Sequence, residues 1–377
     1  MAQTFPFPHV PFLANRDKVH FINGRWRAPE CGQSFQTICP SDGTVLATLA
    51  RGTGQDIDIA VAAARHAFEG PWSKLTPNDR YALMLKVADI IEKNFDELSM
   101  LDTLEMGAPL ARTRGMKKSL LQTITFFAAQ ATNWRGMSVP NSLPGSFTTF
   151  TLKAPVGVVG AITPWNAPLV SMWWTIGGIL ATGCTGVIKP SEEASLSTLR
   201  MAELLVEAGV PAGVISVVTG LGSEAGSALS SHMDVDRITF TGSTMTGRQI
   251  IRDSASNMKR VSIELGGKSP DIVFEDADLD RAVPGAAMAV FSNSGQICSA
   301  GTRVFVQRKL QGEFVSRFIE YAKTLRVGHP LDPQAQMGPL VSRRQMERVL
   351  GYVTAGKDAG ARLRLGGERL GGQFAEG

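Results

Sequence analysis

The sequence predicts an α/β protein: an open, parallel sheet with helices on both faces, a second α/β unit after it, and a β-hairpin projecting from the first. Three observations carry this. Beyond Pro155, short apolar runs at 156–162, 185–189, 214–218 and 237–240 alternate with helical stretches such as 195–208, the order that builds βαβ units. The runs end in polar or glycine-bearing turns, the usual place for ligands at the carboxyl ends of parallel strands. Residues 136–153 change character, with Pro140, Pro144 and Gly145 breaking the chain before an alternating stretch, Phe147-Thr-Thr-Phe-Thr-Leu152.

Taken in chain order, residues 56–107 read as helices. Ile57, Ala60, Val61, Ala64 and Phe68 fall at spacings of three and four, and Thr76-Pro77 marks an N-cap and first-turn proline ahead of Leu83, Val87 and Ile90. The hairpin follows at 136–154. Residues 167–188 form an uncharged run of membrane-spanning length, but Gly177, Gly178, Gly183 and Gly186 interrupt it and Lys189-Pro190 ends it, so it reads as a buried helix followed by a buried strand. A second sheet is expected to start near Val261 and to include 272–274, the helix 279–291 and the strand 303–306. The domains so defined are 1–135 with 155–263, the hairpin 136–154, and 264–377.

Composition narrows the function. The 377 residues are 44% apolar and 19% charged, with 39 Gly and 20 Pro, which suits two or three folded domains and excludes a low-complexity chain. A net charge of +4, with basic residues scattered, argues against nucleic acid or an anionic membrane and for small molecules as partners. Cys31, Cys39, Cys184 and Cys298 include no CxxC pair, so neither a disulfide scaffold nor a zinc site is expected, and a reducing compartment, the cytoplasm, fits. The amino terminus carries His9, Arg16 and Asp17 before any sustained apolar stretch and does not read as a signal peptide. None of the five histidines stands in a paired-ligand pattern, so no metal site is expected.

The strand ends hold the chemistry-bearing residues. Thr163-Pro164-Trp165-Asn166 follows the first run, and an asparagine amide is able to donate to an oxyanion. Lys189 and Glu192 follow the second; at three residues apart they suit the hydroxyls of one sugar, and equally a surface ion pair. Thr241-Gly242-Ser243-Thr244 is a strand-to-helix turn able to present amides to a phosphate, although GxGxxG is absent. Cys298 sits in Asn293-Ser-Gly-Gln-Ile-Cys-Ser-Ala-Gly301, where small neighbours let a substrate approach a nucleophilic sulfur; a small buried hydrophobe, the reading for Cys184, is the alternative. Glu264, between Val261-Ser-Ile263 and Leu265-Gly-Gly267, is either a base whose pKa is raised by apolar neighbours or a solvated strand-end charge. A cysteine–histidine hydrolase remains a rival on spacing alone.

Taken together, Pro155-Val-Gly-Val-Val-Gly160 with Thr163-Pro-Trp-Asn166, Lys189-Pro-Ser-Glu192, Phe240-Thr-Gly-Ser-Thr244, Glu264-Leu-Gly-Gly267 and Phe291-Ser-Asn-Ser-Gly-Gln-Ile-Cys298 resemble, in order and spacing, the motifs of the NAD(P)-dependent aldehyde dehydrogenase family. The resemblance runs from about His20 to the end of the chain. It implies a nucleotide-binding sheet, a thiol-bearing catalytic domain and an oligomerisation arm formed by the hairpin. It further implies Cys298 as nucleophile, Glu264 as the base that activates hydrolytic water, and Asn166 as oxyanion donor alongside the Cys298 amide. Lys189 and Glu192 match the residues that hold the adenosine ribose, with Ser191 between them; Gly242 and Ser243 match the pyrophosphate turn; Thr163, Pro164 and Trp165 lie on the cofactor cleft; Leu265 and Gly266 line the nicotinamide region.

The implied reaction oxidises an aldehyde to a carboxylic acid through a thiohemiacetal and a thioester, with NAD favoured over NADP because Glu192 would repel a 2′-phosphate. Ser171, Trp174, Ile297 and Ser299 are expected to line the substrate tunnel, and none is charged, which suits an uncharged, fairly apolar aldehyde. A homodimer or homotetramer is implied, with no nucleic acid or membrane partner. Thr175 stands where many members carry a lysine. Members usually continue roughly a hundred residues further, with an acidic ligand for the nicotinamide ribose, so the sequence as given is expected to turn over poorly. The alternative is a non-catalytic, cofactor-binding or structural derivative of such an enzyme.

Overall fold

A computed structural model describes residues 5–375. The chain opens with strands β1 (Asp17–Lys18), β2 (His20–Ile22), β3 (Arg25–Arg27), β4 (Ser34–Ile38) and β5 (Val45–Ala50), none of which the sequence reading anticipated. Helices α1 (Gly54–Glu69), α2 (Pro77–Lys93), α3 (Phe95–Met106), α4 (Leu110–Gly115) and α5 (Lys117–Gln130) follow. As expected, Thr76 caps α2 with Pro77 at its first turn: the Asp79 amide donates to Thr76 Oγ1 at 3.2 Å, and the Thr76 amide donates back to Asp79 Oδ2 at 2.8 Å. Two-residue strands β6 (Ser138–Val139) and β7 (Thr149–Phe150) pair antiparallel and make the hairpin. Its ladder is shorter than the expected 147–152 strand, and Phe147, Phe150 and Leu152 are exposed on it.

The remaining elements are β8 (Val158–Ile162), α6 (Pro168–Thr182), β9 (Thr185–Lys189), α7 (Leu196–Glu207), β10 (Ile215–Val217), α8 (Ser227–Ser231), β11 (Arg237–Gly242), α9 (Thr244–Ser254), β12 (Arg260–Leu265), β13 (Pro270–Val273), α10 (Leu279–Phe291), β14 (Arg303–Val306), α11 (Gln311–Thr324) and α12 (Arg343–Asp358). The main sheet has the order β12-β11-β8-β9-β10-β2-β3. Its first five strands are parallel, while β2 joins β10, and β3 joins β2, antiparallel.

Every residue of β8, β9 and β10 is buried because helices cover both faces. Val159, Ala161 and Ile188 pack with the apolar sides of α2, α3, α5, α6 and α7; Val158, Ile162, Val187, Ile238 and Phe240 pack with those of α1, α8 and α9. After β8 the chain moves through β9 to β10, then returns to the other side of β8 for β11 and β12. Connections therefore leave β8 and β11 toward opposite faces, which opens a crevice at their carboxyl ends.

One expectation needs correction. The 261–263 segment does not begin a second sheet: β12 pairs with β11 over six residues, from Arg237↔Arg260 to Gly242↔Leu265, and forms the edge of the main sheet. The second sheet begins at Pro270, where β13 pairs parallel with β14 across the helix α10. Val273, Val283, Ala286 and Phe314 form its core, while the register partners Ile272 and Phe305 on the other face are exposed.

His20 on β2 is wholly buried, with Nδ1 3.1 Å from Thr219 Oγ1 and Nε2 3.6 Å from Asp56 Oδ1. Burial pushes it down to about 4, against the opposing pull of Asp56. The unfolded chain therefore takes up the proton more readily, so stability is complete above the ordinary value near 6.5 and is lost as pH falls toward 4. At pH 5 the loss from this group is about 2 kcal/mol relative to pH 8. Melting temperatures at the two pH values should accordingly diverge more in the wild type than in His20→Gln; equal divergence would remove His20 as the cause.

Candidate active site

The crevice draws together three segments that lie far apart in sequence. The first leaves β8, where the Thr163 amide donates to Lys189 O at 3.1 Å, and Pro168 then starts α6 without needing an amide hydrogen. Asn166, between them, donates from Nδ2 to Gln296 O at 2.8 Å, and Asn293 Nδ2 donates to Asn166 O at 3.0 Å. Gln296 Oε1 in turn accepts from the Val341 amide at 3.0 Å. These bonds hold the second segment, the loop ahead of Cys298, in an uncommon path: Asn293 (φ 54°), Ser294 (φ 56°) and Gly295 (φ 74°) are left-handed in succession. Each of the two non-glycine residues costs on the order of 1 kcal/mol or more in that conformation. The loop leaves Cys298 exposed, whereas Cys184 is buried.

The third segment is the end of β12. The Gly267 amide donates to Cys298 O at 3.2 Å, which brings the Glu264-Leu-Gly-Gly267 strand end beside the thiol loop. Glu264 itself is exposed. The apolar enclosure expected for it is absent because β12 is an edge strand, and of the two readings the solvated strand-end carboxylate is the one that matches its surroundings.

On the other side of the crevice Lys189 is 1% exposed; its ammonium donates to Gly220 O at 2.9 Å and lies 3.6 Å from Glu192 Oε2. Burial lowers its pKa, and Glu192 opposes that shift. Ser191 Oγ accepts from the Glu193 amide at 3.3 Å. Arg344, from the first turn of α12, lies 2.9 Å from Glu193 and 4.0 Å from Glu192. Gly242 closes β11 and Ser243 caps α9, accepting from the Thr246 amide at 3.2 Å; Ser243, Thr244 and Met245 are exposed, so the open end of this 11-residue helix faces solvent. Gly247 lets α9 lie close on β12, since a Cβ there would stand 2.8 Å from Leu265 Cδ2. Beyond Gly266, no atom lies within 4 Å of where a Cβ would project. Pro164 and Trp165 are half-buried, and Trp165 packs on Met106, Ala108 and Val341. A cavity of about 780 Å³ opens beside Glu192, Glu193 and Ser294. A buried ammonium beside a half-open carboxylate matches vicinal hydroxyls, and an exposed helix start matches a pyrophosphate, so the donor set fits a dinucleotide.

The residues expected to line a tunnel do not share one environment: Ser171 is buried in α6, Trp174 is 59% exposed, Ile297 is half-buried and Ser299 is exposed. The sequence reading passed over Asn293, Gln296, Gly267 and Arg344. The Asn-Ser-Gly run was the available signal for Asn293, since Asn and Gly tolerate left-handed backbone; nothing local marks Gln296, Gly267 or Arg344. Among the described residues no group of three metal-ligating side chains occurs, and no helix is long and apolar enough to cross a membrane.

Comparison with known proteins gives consistent results. Residues 26–377 match the model of the aldehyde dehydrogenase family. The chain is 45% identical over 375 residues to aldehyde dehydrogenase family 2 member C4 of Arabidopsis thaliana, covering 98% of this chain and 73% of that protein. It is 42% identical over 351 residues to the mitochondrial aldehyde dehydrogenase of Mesocricetus auratus, covering 92% and 70%. Among solved structures, the NAD+ complex of an aldehyde dehydrogenase from Bacillus cereus superposes with a TM-score of 0.93 at 44% identity, covering 96% of this chain and 74% of that one.

Proposed function

The chain belongs to the aldehyde dehydrogenase family, and from that premise we propose that it oxidises an uncharged aldehyde to the carboxylic acid with NAD as acceptor, through a covalent intermediate on Cys298. The observation that carries this reading is the convergence of Asn166, Cys298 and the Glu264 strand end, tied by the Asn166–Gln296 and Gly267–Cys298 bonds. The Cys298 sulfur, as thiolate, adds to the aldehyde carbon. Asn166 spends one Nδ2 hydrogen on Gln296 O and aims the other, with the Cys298 amide, at the developing oxyanion. NAD, when bound, accepts the hydride that leaves the tetrahedral carbon, which converts the adduct to a thioester. Glu264 then takes a proton from water, whose oxygen adds to the thioester carbon; collapse releases the acid and returns the thiolate. Exposure suits this role, since the carboxylate reaches water directly.

Lys189 and Glu192 hold the adenosine ribose, Ser191 sets the turn between them, and Gly242 with Ser243 receives the pyrophosphate. Thr163, Pro164 and Trp165 form one wall of the cleft, and Leu265 and Gly266 lie by the nicotinamide. Ser171, Trp174, Ile297 and Ser299 flank the aldehyde's approach. The main sheet and the β13–β14 unit serve as cofactor and thiol domains. The exposed aromatic residues of the hairpin support its use as an arm in a homodimer or homotetramer, and four unpaired cysteines support a cytoplasmic setting.

Incubating the protein with an aliphatic aldehyde tests the reaction: NADH and carboxylic acid should form in equal amounts. NADP should serve about ten-fold less well in kcat/KM, about 1.4 kcal/mol, because the Glu192 carboxylate that accepts from the 2′-hydroxyl repels a 2′-phosphate while Lys189 and Arg344 soften the repulsion. Equal values would remove that role from Glu192. The exposure of Cys298 favours a second reading, a cofactor-binding chain without turnover, since hydride transfer benefits from a dry site. NAD binding with no NADH formed would establish it.

A further inference from the structure

Helix α3 lies behind the crevice and carries two buried carboxylates one turn apart, Asp102 and Glu105. Glu105 Oε1 accepts from the Ser195 amide at 2.9 Å and from Thr37 Oγ1 at 3.1 Å; its Oε2 accepts from the Leu196 amide at 2.8 Å. Ser195 and Leu196 are the cap and first residue of α7, and Ser195 makes no side-chain capping bond. Its hydroxyl instead donates back to Ser191 O at 2.9 Å. A carboxylate from a neighbouring helix thus does the capping, and the freed serine ties the start of α7 to the loop that ends β9. Glu105 is 0% exposed; burial drives it up to about 8, against three donors that hold it down. A buried carboxyl is a costly way to cap a helix that a serine already occupies. What Glu105 adds over a serine cap is the link to Ser191.

We propose that Glu105 is a positioning residue for the cofactor: by gripping the first amides of α7 and releasing the Ser195 hydroxyl to Ser191, it fixes the loop from which Glu192 reaches the adenosine ribose. This rests on the reading that Lys189 and Glu192 hold that ribose. Asp102 provides the comparison: it is buried on the same helix and also faces α7 through the Ser197 hydroxyl, which pulls its pKa down against the upward push of burial, but it accepts from the Leu169 amide of α6 at 3.5 Å, while the first amides of α7 go to Glu105.

The experiment measures the NAD Kd by titration calorimetry, together with the NAD KM, kcat and melting temperature, for the wild type, Glu105→Gln, Ser195→Ala, Asp102→Asn and Glu192→Gln. Glu105→Gln should raise the NAD Kd and KM about ten-fold and leave kcat at saturating NAD within about two-fold, because the loop shifts while the thiol does not. Ser195→Ala, which cuts the link and leaves the buried carboxylate in place, should raise Kd in the same direction and keeps the test open if Glu105→Gln does not fold. Asp102→Asn should lower the melting temperature with Kd within about two-fold of wild type. An unchanged Kd in Glu105→Gln or in Ser195→Ala, with Kd raised in Glu192→Gln, would overturn the positioning role. A rise in Asp102→Asn equal to that in Glu105→Gln would also overturn it, as general destabilisation. An unchanged Kd in Glu192→Gln would instead overturn the ribose reading beneath it.

Discussion

Replacing Cys298 by alanine should lower NADH formation by about a thousand-fold or more while the NAD Kd stays within about two-fold. The size follows from the role: with no sulfur no covalent adduct forms, and removal of a nucleophile forfeits nearly all the catalysis that depends on it. NAD binding is spared because the residues assigned to the adenosine ribose and the pyrophosphate stand on β9, β11 and their turns, across the crevice from the thiol loop. Labelling gives an independent reading. Iodoacetamide should modify Cys298 and Cys31, which are exposed, well ahead of Cys39 and Cys184, which are buried, and a saturating aldehyde should protect Cys298 alone. A Cys298→Ala protein that kept a tenth of wild-type NADH production would place the chemistry elsewhere.

Glu264→Gln should separate the two halves of the reaction. Addition to the aldehyde and hydride loss need the sulfur and the oxyanion donors; hydrolysis of the thioester needs a proton removed from water, for which an amide is no base. Steady-state turnover should fall about a hundred-fold, in the range of a lost general base, with a rapid first turnover of NADH surviving near one equivalent per site. Quenched-flow measurement of the first turnover reads this directly. Loss of the burst along with turnover would move Glu264 to a step before hydride transfer, and unchanged turnover would remove it from the mechanism.

The alternation after Pro155 was legible because each of β8, β9, β10 and β11 is a short apolar run bounded by turn residues, and the helix at 279–291 because its apolar spacing is local. What local pattern does not carry is which strand lies next to which. Val261-Ser-Ile263 reads the same as the edge of one sheet or the start of another, and the partner that decides, β11, lies some twenty residues earlier. The strands before residue 50 escaped notice for a similar reason: β2 and β3 are three residues each, and β2 is held by pairing with β10, near residue 217. The site followed the same rule. Asn166, Lys189 and Glu192 stood out by residue type at strand ends and Cys298 by its small neighbours, but the exposure of Glu264 depends on β12 being an edge, and the capping role of Glu105 depends on α7 packing against α3.

The Gly267 amide, described above as a bond to Cys298 O, is also where the chain passes from the large sheet to the small one. Gly266 and Gly267 stand at that passage, and a Cβ at either would meet nothing closer than 3.5 Å. The crossing from one sheet to the other is thus made by bare backbone, and the Gly267–Cys298 bond is the stitch that ties the loop of the sulfur to the strand of the carboxylate.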